Sequence, residues 1–367
     1  MKTKSIFFAL SVLSVITWSC TSEADMASSN SLKSSITSSA QSLQTAMNSI
    51  TSSIGYQLLS THGQAGGMMG VKQSVAGFDT TYNQILLADV AGVWDYKAAL
   101  YKRWDPNLLR FFLNTGTSTD MVVRLPESKV KNPNSLLRFS PADTTLTNNY
   151  VLDVSKYDYH FNHFLGWDYG MATNIAISGT NVGDLAIQSS SSKAKGYHFA
   201  SSFTFANGYD ASTSYTSGDS IISVYSIAKV GQILYQEKYT AIRTSPTSRH
   251  REKQYDLTIG NVEIVRTAGP TSLDSAKVYV SGVLQLHSKV EIVTDSTANV
   301  SNTTESTVTN HNRTIQITFD DGSKTTVKAL LGSTIDDISS LFASIRQAYF
   351  AVGIVDWVAW DIYKNKN

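Results

Sequence analysis

The chain is almost free of cysteine. Cys20 is the only one among 367 residues, so no disulfide bond can form within the chain. This excludes the small secreted folds that depend on several disulfides. We expect burial of apolar side chains to stabilise the fold instead, because 42% hydrophobic residues in a chain of this length can fill one large core or two smaller ones.

The chain also lacks an excess of charge of either sign. It contains 30 Lys and Arg residues against 29 Asp and Glu residues. Long-range attraction to nucleic acid or to an anionic membrane requires a marked positive charge. We therefore expect no nucleic-acid partner.

Long apolar runs are missing beyond the first residues. Residues 6–16 form an apolar stretch that follows Lys2 and Lys4 and is too short to span a bilayer. This arrangement is typical of a secretory signal peptide, which we assign to residues 1–19. Since no second stretch reaches membrane-spanning length, we expect the mature chain to contact a membrane only through an attached lipid.

The lone thiol stands where this signal peptide ends. Ser19, a small residue, precedes Cys20 directly. The arrangement resembles the lipobox of bacterial lipoproteins. The resemblance implies that Cys20 becomes the first residue of the mature chain and carries fatty acyl chains such as palmitate, which anchor it in the membrane. Thr17 and Trp18 depart from the usual motif, so an ordinary secretory peptide with an unmodified cysteine is the alternative interpretation.

The residues after the thiol carry an acidic signal. Ser22, Glu23 and Asp25 resemble the short export tag of Bacteroidetes lipoproteins. That resemblance implies a cell-envelope location in the outer membrane, with the outer face as the destination that the tag favours.

Five triplets resemble the O-glycosylation site of the same phylum, which is an Asp, then Ser or Thr, then a small or aliphatic residue. A chain rich in Ser and Thr also produces such triplets by chance. The acceptors predicted from the resemblance are Thr80, Thr144, Ser220, Ser275 and Ser296.

The N-terminal part of the mature chain predicts a tether and a helix. Residues 20–31 are small and polar, as a tether requires. Apolar residues then recur at spacings of three and four, which predicts a helix from 32 to about 59 that packs on its own domain. Pairing with a second copy is the alternative. A linker rich in Gly and Met completes the segment 32–70. The helix stripe consists of Ile36, Ala40, Leu43, Met47, Ile50 and Ile54.

Residues 71–332 predict a β domain. Segments rich in β-branched and aromatic residues alternate with turn-forming residues, and the links between them are short. The predicted fold class is therefore mainly β, a curved antiparallel sheet or half-barrel, with an N-terminal and a C-terminal amphipathic helix covering part of it. Two β subdomains that divide near residue 200 are the alternative.

Three local predictions follow from the later part of the chain. Asp321-Gly322 predicts a two-residue hairpin. The segment 277–293 alternates like one long strand that is solvated on one side. Within residues 333–367, a stripe from Ile338 to Val352 predicts a helix that ends at Gly353, with Trp357 and Trp360 packed against the sheet.

The chain carries no recognised catalytic motif. A Gly-x-Ser-x-Gly elbow and a His-Glu-x-x-His zinc motif are both absent. His160 and His163 fall on opposite faces of a strand, which makes them a poor metal pair. We therefore expect a non-catalytic protein without metal or cofactor. A basic loop has two interpretations, an anion site or a solvated hairpin tip; its residues are Arg243, Arg249, His250, Arg251 and Lys253.

The strongest candidate for ligand binding is an aromatic cluster between residues 150 and 169. In a strand over residues 157–164, Tyr157 and Tyr159 share one face, and Trp167 and Tyr169 form a rim nearby. A row of aromatic rings on an accessible sheet suits the apolar faces of sugars. These four residues are the predicted ligand-binding site, and a core face is the alternative.

Together these observations predict a non-catalytic cell-envelope lipoprotein that binds a ligand, either a glycan or a hydrophobic molecule, on its sheet. A structural, assembly or adhesion component of the bacterial surface is the alternative.

Overall fold

The computed structural model describes residues 30–60, 82–97, 111–131, 141–162, 165–245, 250–269, 275–295 and 312–366. The predicted signal peptide, most of the tether and the linker rich in Gly and Met lie outside the described residues. The described part is mainly β: one large, open, mixed sheet with helices near both ends of the chain, which confirms the predicted fold class.

The helices of the described residues lie mostly near the two ends. They are α1 (Asn30–Thr51), α2 (Ile54–Ser60), α3 (Leu87–Val90), α4 (Glu127–Lys131), α5 (Val327–Leu331) and α6 (Thr334–Lys366), with a 3₁₀ turn at Pro141–Thr145. None of the described helices combines the length and the apolar character that crossing a bilayer requires.

The strands follow one another along the chain. They are β1 (Tyr82–Leu86), β2 (Gly92–Tyr96), β3 (Phe112–Gly116), β4 (Met121–Leu125), β5 (Tyr150–Asn162), β6 (Gly166–Ile177), β7 (Thr180–Ser192), β8 (Gly196–Phe205), β9 (Tyr209–Ser217), β10 (Ser220–Lys229), β11 (Gln232–Arg243), β12 (Arg251–Ile259), β13 (Val262–Ala268), β14 (Ser275–Val280), β15 (Val283–Leu284), β16 (Lys289–Asp295), β17 (Asn312–Thr318) and β18 (Lys324–Thr326).

The large sheet is an antiparallel meander over most of its width. From β4 to β15 every strand pairs with the next one in the chain, and the sheet continues through β4, β2 and β3 at the other edge. The β2–β4 pair is parallel, and β1 pairs with the second half of β5. Because β8 pairs with both β7 and β9, the sheet is continuous across residue 200. A small second sheet consists of β16, β17 and β18.

A β-bulge in β5 keeps its apolar side chains on one face. Tyr150 and Val154 are buried in the first half of the strand, and Tyr157 is buried in the second half. The register against β6 shifts between Val154 and Lys156. Side chains alternate between the two faces of a strand. One extra residue therefore makes the odd-numbered residues face the core after the bulge, where the even-numbered ones did before it. Tyr157 and Tyr159 therefore share the face that packs on the helices, which we call the inner face.

Helix α1 packs on the inner face, as predicted. It contacts β11 to β14 and α6. The predicted single helix is nevertheless broken, because the Ser53 hydroxyl accepts a hydrogen bond from the Tyr56 N–H and so starts α2. Ile54, expected on the buried stripe, is 60% exposed, while Gly55 is buried instead. The buried α1 side chains include Leu32, Ile36, Leu43, Met47 and Ile50.

Helix α6 is longer than predicted. It spans 33 residues and continues through Gly353, which was expected to end it. Glycine costs a helix about 1 kcal/mol relative to alanine. The neighbouring Val352, Ile354 and Val355 are buried in the core, and this packing outweighs the glycine penalty.

The predicted strand over 277–293 was wrong, because it contains a turn. Ser281 and Gly282 have φ of 49° and 80°, the positive values that a type I′ hairpin turn requires at both central residues. Val280 consequently pairs with Val283 across the turn. Apolar and polar residues alternate in the same way before and after a two-residue turn. The turn therefore cannot be recognised from this alternation alone. The Asp321-Gly322 hairpin is confirmed, with β17 and β18 paired around it.

Candidate functional site

The geometry of the inner face is set by α6, which crosses the sheet from β10 to β3. Aromatic residues on the helix meet aromatic residues on successive strands, and this fixes the position of the helix. The ring pairs and their centroid distances are Phe342 with Tyr225 on β10 at 5.3 Å, Tyr349 with Phe199 on β8 at 6.0 Å, Trp360 with Tyr159 on β5 at 5.1 Å, and Trp357 with Phe112 on β3 at 5.9 Å.

Two of the predicted ligand-binding residues belong to a buried polar cluster under α6. Tyr157 is 2% exposed and Tyr169 is 4% exposed. The Tyr169 hydroxyl donates a hydrogen bond of 3.0 Å to Asp356 Oδ1, and the two tyrosine rings meet edge to face at 6.0 Å. Their ring faces are therefore closed to a ligand from solvent, which is the core alternative that the sequence left open.

Burial dominates the electrostatics of this cluster. It raises the pKa of Asp356 to about 7, although the hydrogen bond from the Tyr169 hydroxyl opposes the change. Burial, followed by the nearby carboxylate, also raises the pKa of Tyr157 and Tyr169 well above the usual value. The interface between α6 and the sheet therefore contains a carboxyl group whose pKa is close to 7.

The other two predicted residues lie nearer the surface. Tyr159 is half-buried against Trp360. Trp167 is also half-buried, and it begins a series of rings that we call the aromatic strip: Trp167, Tyr197 and Tyr215. The first two ring centroids are 6.1 Å apart and the last two are 6.0 Å apart. Tyr215 is 37% exposed, so the strip is open to solvent.

Strand register explains why these three rings meet. Trp167 opposes Ser191 on β7, and Ser191 opposes Tyr197 on β8. The small serine between the two rings leaves room for them to lean together. Tyr215 on β9 lies diagonally across from Tyr197, within reach of an aromatic side chain. By strand register, all three side chains lie on the inner face of the sheet.

A cleft continues the inner face beyond the strip. It has a volume of about 340 Å³ and lies between α6 and strands β10 and β11. Tyr225 lies on its floor directly opposite Glu237, as cross-strand partners. The lining residues are Tyr225, Tyr235, Glu237, Ile338, Ser339, Phe342 and Arg346.

The cleft contains one carboxylate and one guanidinium, and the two differ in their hydrogen-bonding and ion-pair partners. Glu237 accepts a hydrogen bond from the Tyr235 hydroxyl. Burial, and then the charge of Glu237, raise the pKa of Tyr235 and of Tyr255 beyond the usual tyrosine range. Arg346 is exposed on α6, and it makes no ion pair within the part of the chain that the structure describes.

The remaining sequence candidates are placed as follows. Arg251 of the basic loop donates to the backbone oxygens of Gly218, Asp219 and Ala241 at 3.2–3.4 Å, so its guanidinium holds the β9–β10 turn. Arg249 and His163 lie outside the described residues. No group of three potential metal ligands occurs among the residues that the structure describes.

The predicted modification sites are only partly within the structure. Thr144 and Ser275 are exposed, and Ser220 is half-buried. The Asp143 beside Thr144 is bound by Lys129 in a nearly buried ion pair of 2.6 Å. Cys20, Thr80 and Ser296 lie outside the described residues, so lipidation and these two glycosylation sites stay predictions.

Most of the strip and the whole cleft were not predicted from the sequence. Tyr197 and Tyr215 lie eighteen positions apart in the sequence and meet only through the β8–β9 pairing. The spacing of Ser339, Phe342 and Arg346 on one side of α6 was visible, but its partner strands were not. A scan against protein-family models and searches of curated proteins and of solved structures found no match to this chain.

Proposed function

We propose that the protein is a non-catalytic outer-membrane lipoprotein of a bacterial cell envelope that binds a glycan along the aromatic strip. The observation that carries the proposal is the open series of Trp167, Tyr197 and Tyr215 on the inner face. The envelope location depends on the lipobox-like start at Cys20.

The strip has the chemistry that sugar binding requires. Tyrosine and tryptophan combine a large apolar ring with a polar tip, so they stack on the apolar faces of sugars while their polar atoms stay hydrated. A serine stands between the first two rings, and hydroxyl groups of this kind offer hydrogen bonds to a sugar. The charged groups of the neighbouring cleft favour a polar ligand over the hydrophobic molecule that the sequence left as an alternative.

The ring orientations favour one form of glycan. Trp167 and Tyr197 are inclined by 55°, and Tyr197 and Tyr215 by 48°. A flat, crystalline polysaccharide presents parallel sugar faces and can contact only one of these rings fully. A single soluble chain can twist between units and contact all three. We therefore expect soluble polysaccharides rather than insoluble fibres to bind.

The test uses the full mature chain on an array of soluble plant, bacterial and host polysaccharides. Binding is expected for the parent protein and is expected to fall at least about tenfold in Trp167→Ala and in Tyr215→Ala, since each truncation removes a stacking ring. Tyr279→Ala is the matched control, because Tyr279 lies on the opposite face of the sheet between the buried Val278 and Val280.

Thermal unfolding of each variant separates lost binding from lost folding. A folded parent that binds nothing on the array would refute the proposal. Retained binding by both folded strip variants, or an equal loss in the Tyr279→Ala control, would also contradict it.

The anchor is tested separately. Mass spectrometry of the N-terminal peptide from the native membrane fraction is expected to show acyl chains on Cys20. Cys20→Ser is expected to release the protein from that fraction. An unacylated thiol in mature, membrane-bound protein would contradict the proposed anchoring.

A further inference from the structure

We propose that the cleft at the end of the aromatic strip binds a carboxylate-bearing sugar, so that the glycan contains uronic acid or a similar acidic unit. This inference rests on the proposed function and names the ligand class of the same surface.

The cleft and the strip form one continuous path. Tyr215, the last ring of the strip, opposes Ser223 on β10, and Tyr225 lies two residues further along the same strand. Both tyrosines face the inner side, so Tyr225 is the diagonal neighbour of Tyr215. A chain stacked on the strip therefore reaches the cleft with its next unit. The cleft volume of about 340 Å³ is at the lower end of the range for small-molecule sites, which suits one or two sugar units.

The cleft is lined by one guanidinium and one carboxylate, and within the described part of the chain only the carboxylate has a hydrogen-bonding partner nearby. Arg346 is exposed at the wall formed by α6, without an ion-pair partner among the described residues. Glu237 on the floor is engaged by the Tyr235 hydroxyl. A guanidinium binds a carboxylate through two parallel hydrogen bonds, and an exposed guanidinium beside an aromatic floor is suited to that pairing.

The two charged groups also set the orientation of the ligand. A sugar ring stacked on Tyr225 has Glu237 directly beside it, because these residues are cross-strand partners. Glu237 accepts hydrogen bonds from sugar hydroxyls and repels a carboxylate. The carboxylate of the ligand therefore turns toward Arg346 on the opposite wall. Neutral sugars leave the guanidinium without its partner, and this difference is the source of selectivity.

The experiment compares matched sugars by titration calorimetry and ligand-observed NMR. The probes are galacturonic acid with galactose, and glucuronic acid with glucose. We expect at least one acid to bind about tenfold more tightly than its neutral counterpart, since a hydrogen-bonded charge pair contributes well over a neutral hydrogen bond. Higher salt is expected to reduce this preference.

Variants locate the effect. Arg346→Gln is expected to reduce the preference for the acidic sugar to less than about twofold. Arg346→Lys keeps the positive charge but cannot form two parallel hydrogen bonds, so it is expected to retain part of the preference. Lys324→Gln, which removes an exposed cation from the small sheet, is expected to leave the preference unchanged. Equal binding of acidic and neutral sugars, or an unchanged preference in folded Arg346→Gln, would overturn the inference.

The outcomes separate this inference from the proposed function. If Trp167→Ala abolishes binding of polysaccharides but acidic and neutral sugars bind equally, the acidic class is wrong and the glycan strip stands. If acidic sugars bind through Arg346 while no polysaccharide depends on the strip, the acidic site stands and the extended glycan function falls.

Discussion

Asp356 gives the sharpest test of how the core of this protein responds to pH. Its carboxyl lies on the buried side of α6 between Tyr157 and Tyr169, and burial raises its pKa to about 7 from the ordinary 3.8. The change to examine is Asp356→Asn. Asparagine has nearly the same shape, keeps an oxygen to accept the hydrogen bond from the Tyr169 hydroxyl, and cannot ionise.

The sign of the effect follows from the two pKa values. Below pH 3.8 the carboxyl is protonated in both the folded and the unfolded chain, so it does not change the free energy of unfolding. Between about pH 4 and pH 7 the unfolded chain loses this proton while the folded chain keeps it. The free energy of unfolding therefore falls as pH rises through this window, and the contribution levels off above the folded pKa.

The magnitude has an upper limit. The difference between 3.8 and about 7 corresponds to at most about 4 kcal/mol. Asp356 keeps some contact with solvent, which lowers this limit, so we expect a change on the order of 2 kcal/mol. In Asp356→Asn this part of the pH dependence disappears. The variant is thus more stable than the parent at pH 8 by about the same amount and similar to it at pH 4.

The assay is urea unfolding followed by tryptophan fluorescence between pH 4 and pH 8.5. Asp158→Asn is the control, because Asp158 is exposed on the opposite face of β5. The reasoning is refuted if the stability curves of the parent and Asp356→Asn run parallel across the whole range, or if Asp158→Asn removes the same slope.

Two further substitutions test the backbone. Val230 has a φ of 49° in the β10–β11 turn and is 88% exposed, so Val230→Asn is expected to raise the free energy of unfolding by about 1 kcal/mol, because asparagine tolerates this conformation better than a β-branched residue. The same change at Val283, which is exposed without a positive φ, should give no gain. A Cβ at Gly55 would lie 2.3 Å from the Val182 carbonyl oxygen, so Gly55→Ala is expected to lower stability by about 1–3 kcal/mol. Gly170→Ala, which meets only the end of a flexible lysine at 3.5 Å, is the near-neutral control. Urea unfolding measures all four, and an unchanged Val230→Asn or an unchanged Gly55→Ala would contradict the corresponding argument.

The fold class was predictable from the sequence because it depends on local patterns. The α1 stripe, the Asp321-Gly322 hairpin and the shared face of Tyr157 and Tyr159 are each contained in a short segment. The errors arose where packing outweighs local preference, as at Gly353 inside α6.

The candidate site was harder to predict because its parts are distant in sequence. Trp167 was identified, but its neighbours Tyr197 and Tyr215 join it only through strand register. One signal was available: continued past Gly353, the spacing of the α6 stripe places Asp356 on the buried side, one turn after Val352. An acid at such a position indicates a buried polar partner, which the structure provides as Tyr169.

The path of α6 has a consequence for the order in which the molecule forms. This helix is the last described element, and it seals strands from β3 to β10 that are synthesised long before it. Until it emerges, those strands have their inner side chains open to water and to neighbouring chains, so stable tertiary structure is postponed to the end of synthesis. We therefore expect the incomplete chain to be more prone to aggregation than the finished one, because its sheet exposes apolar side chains until α6 is present.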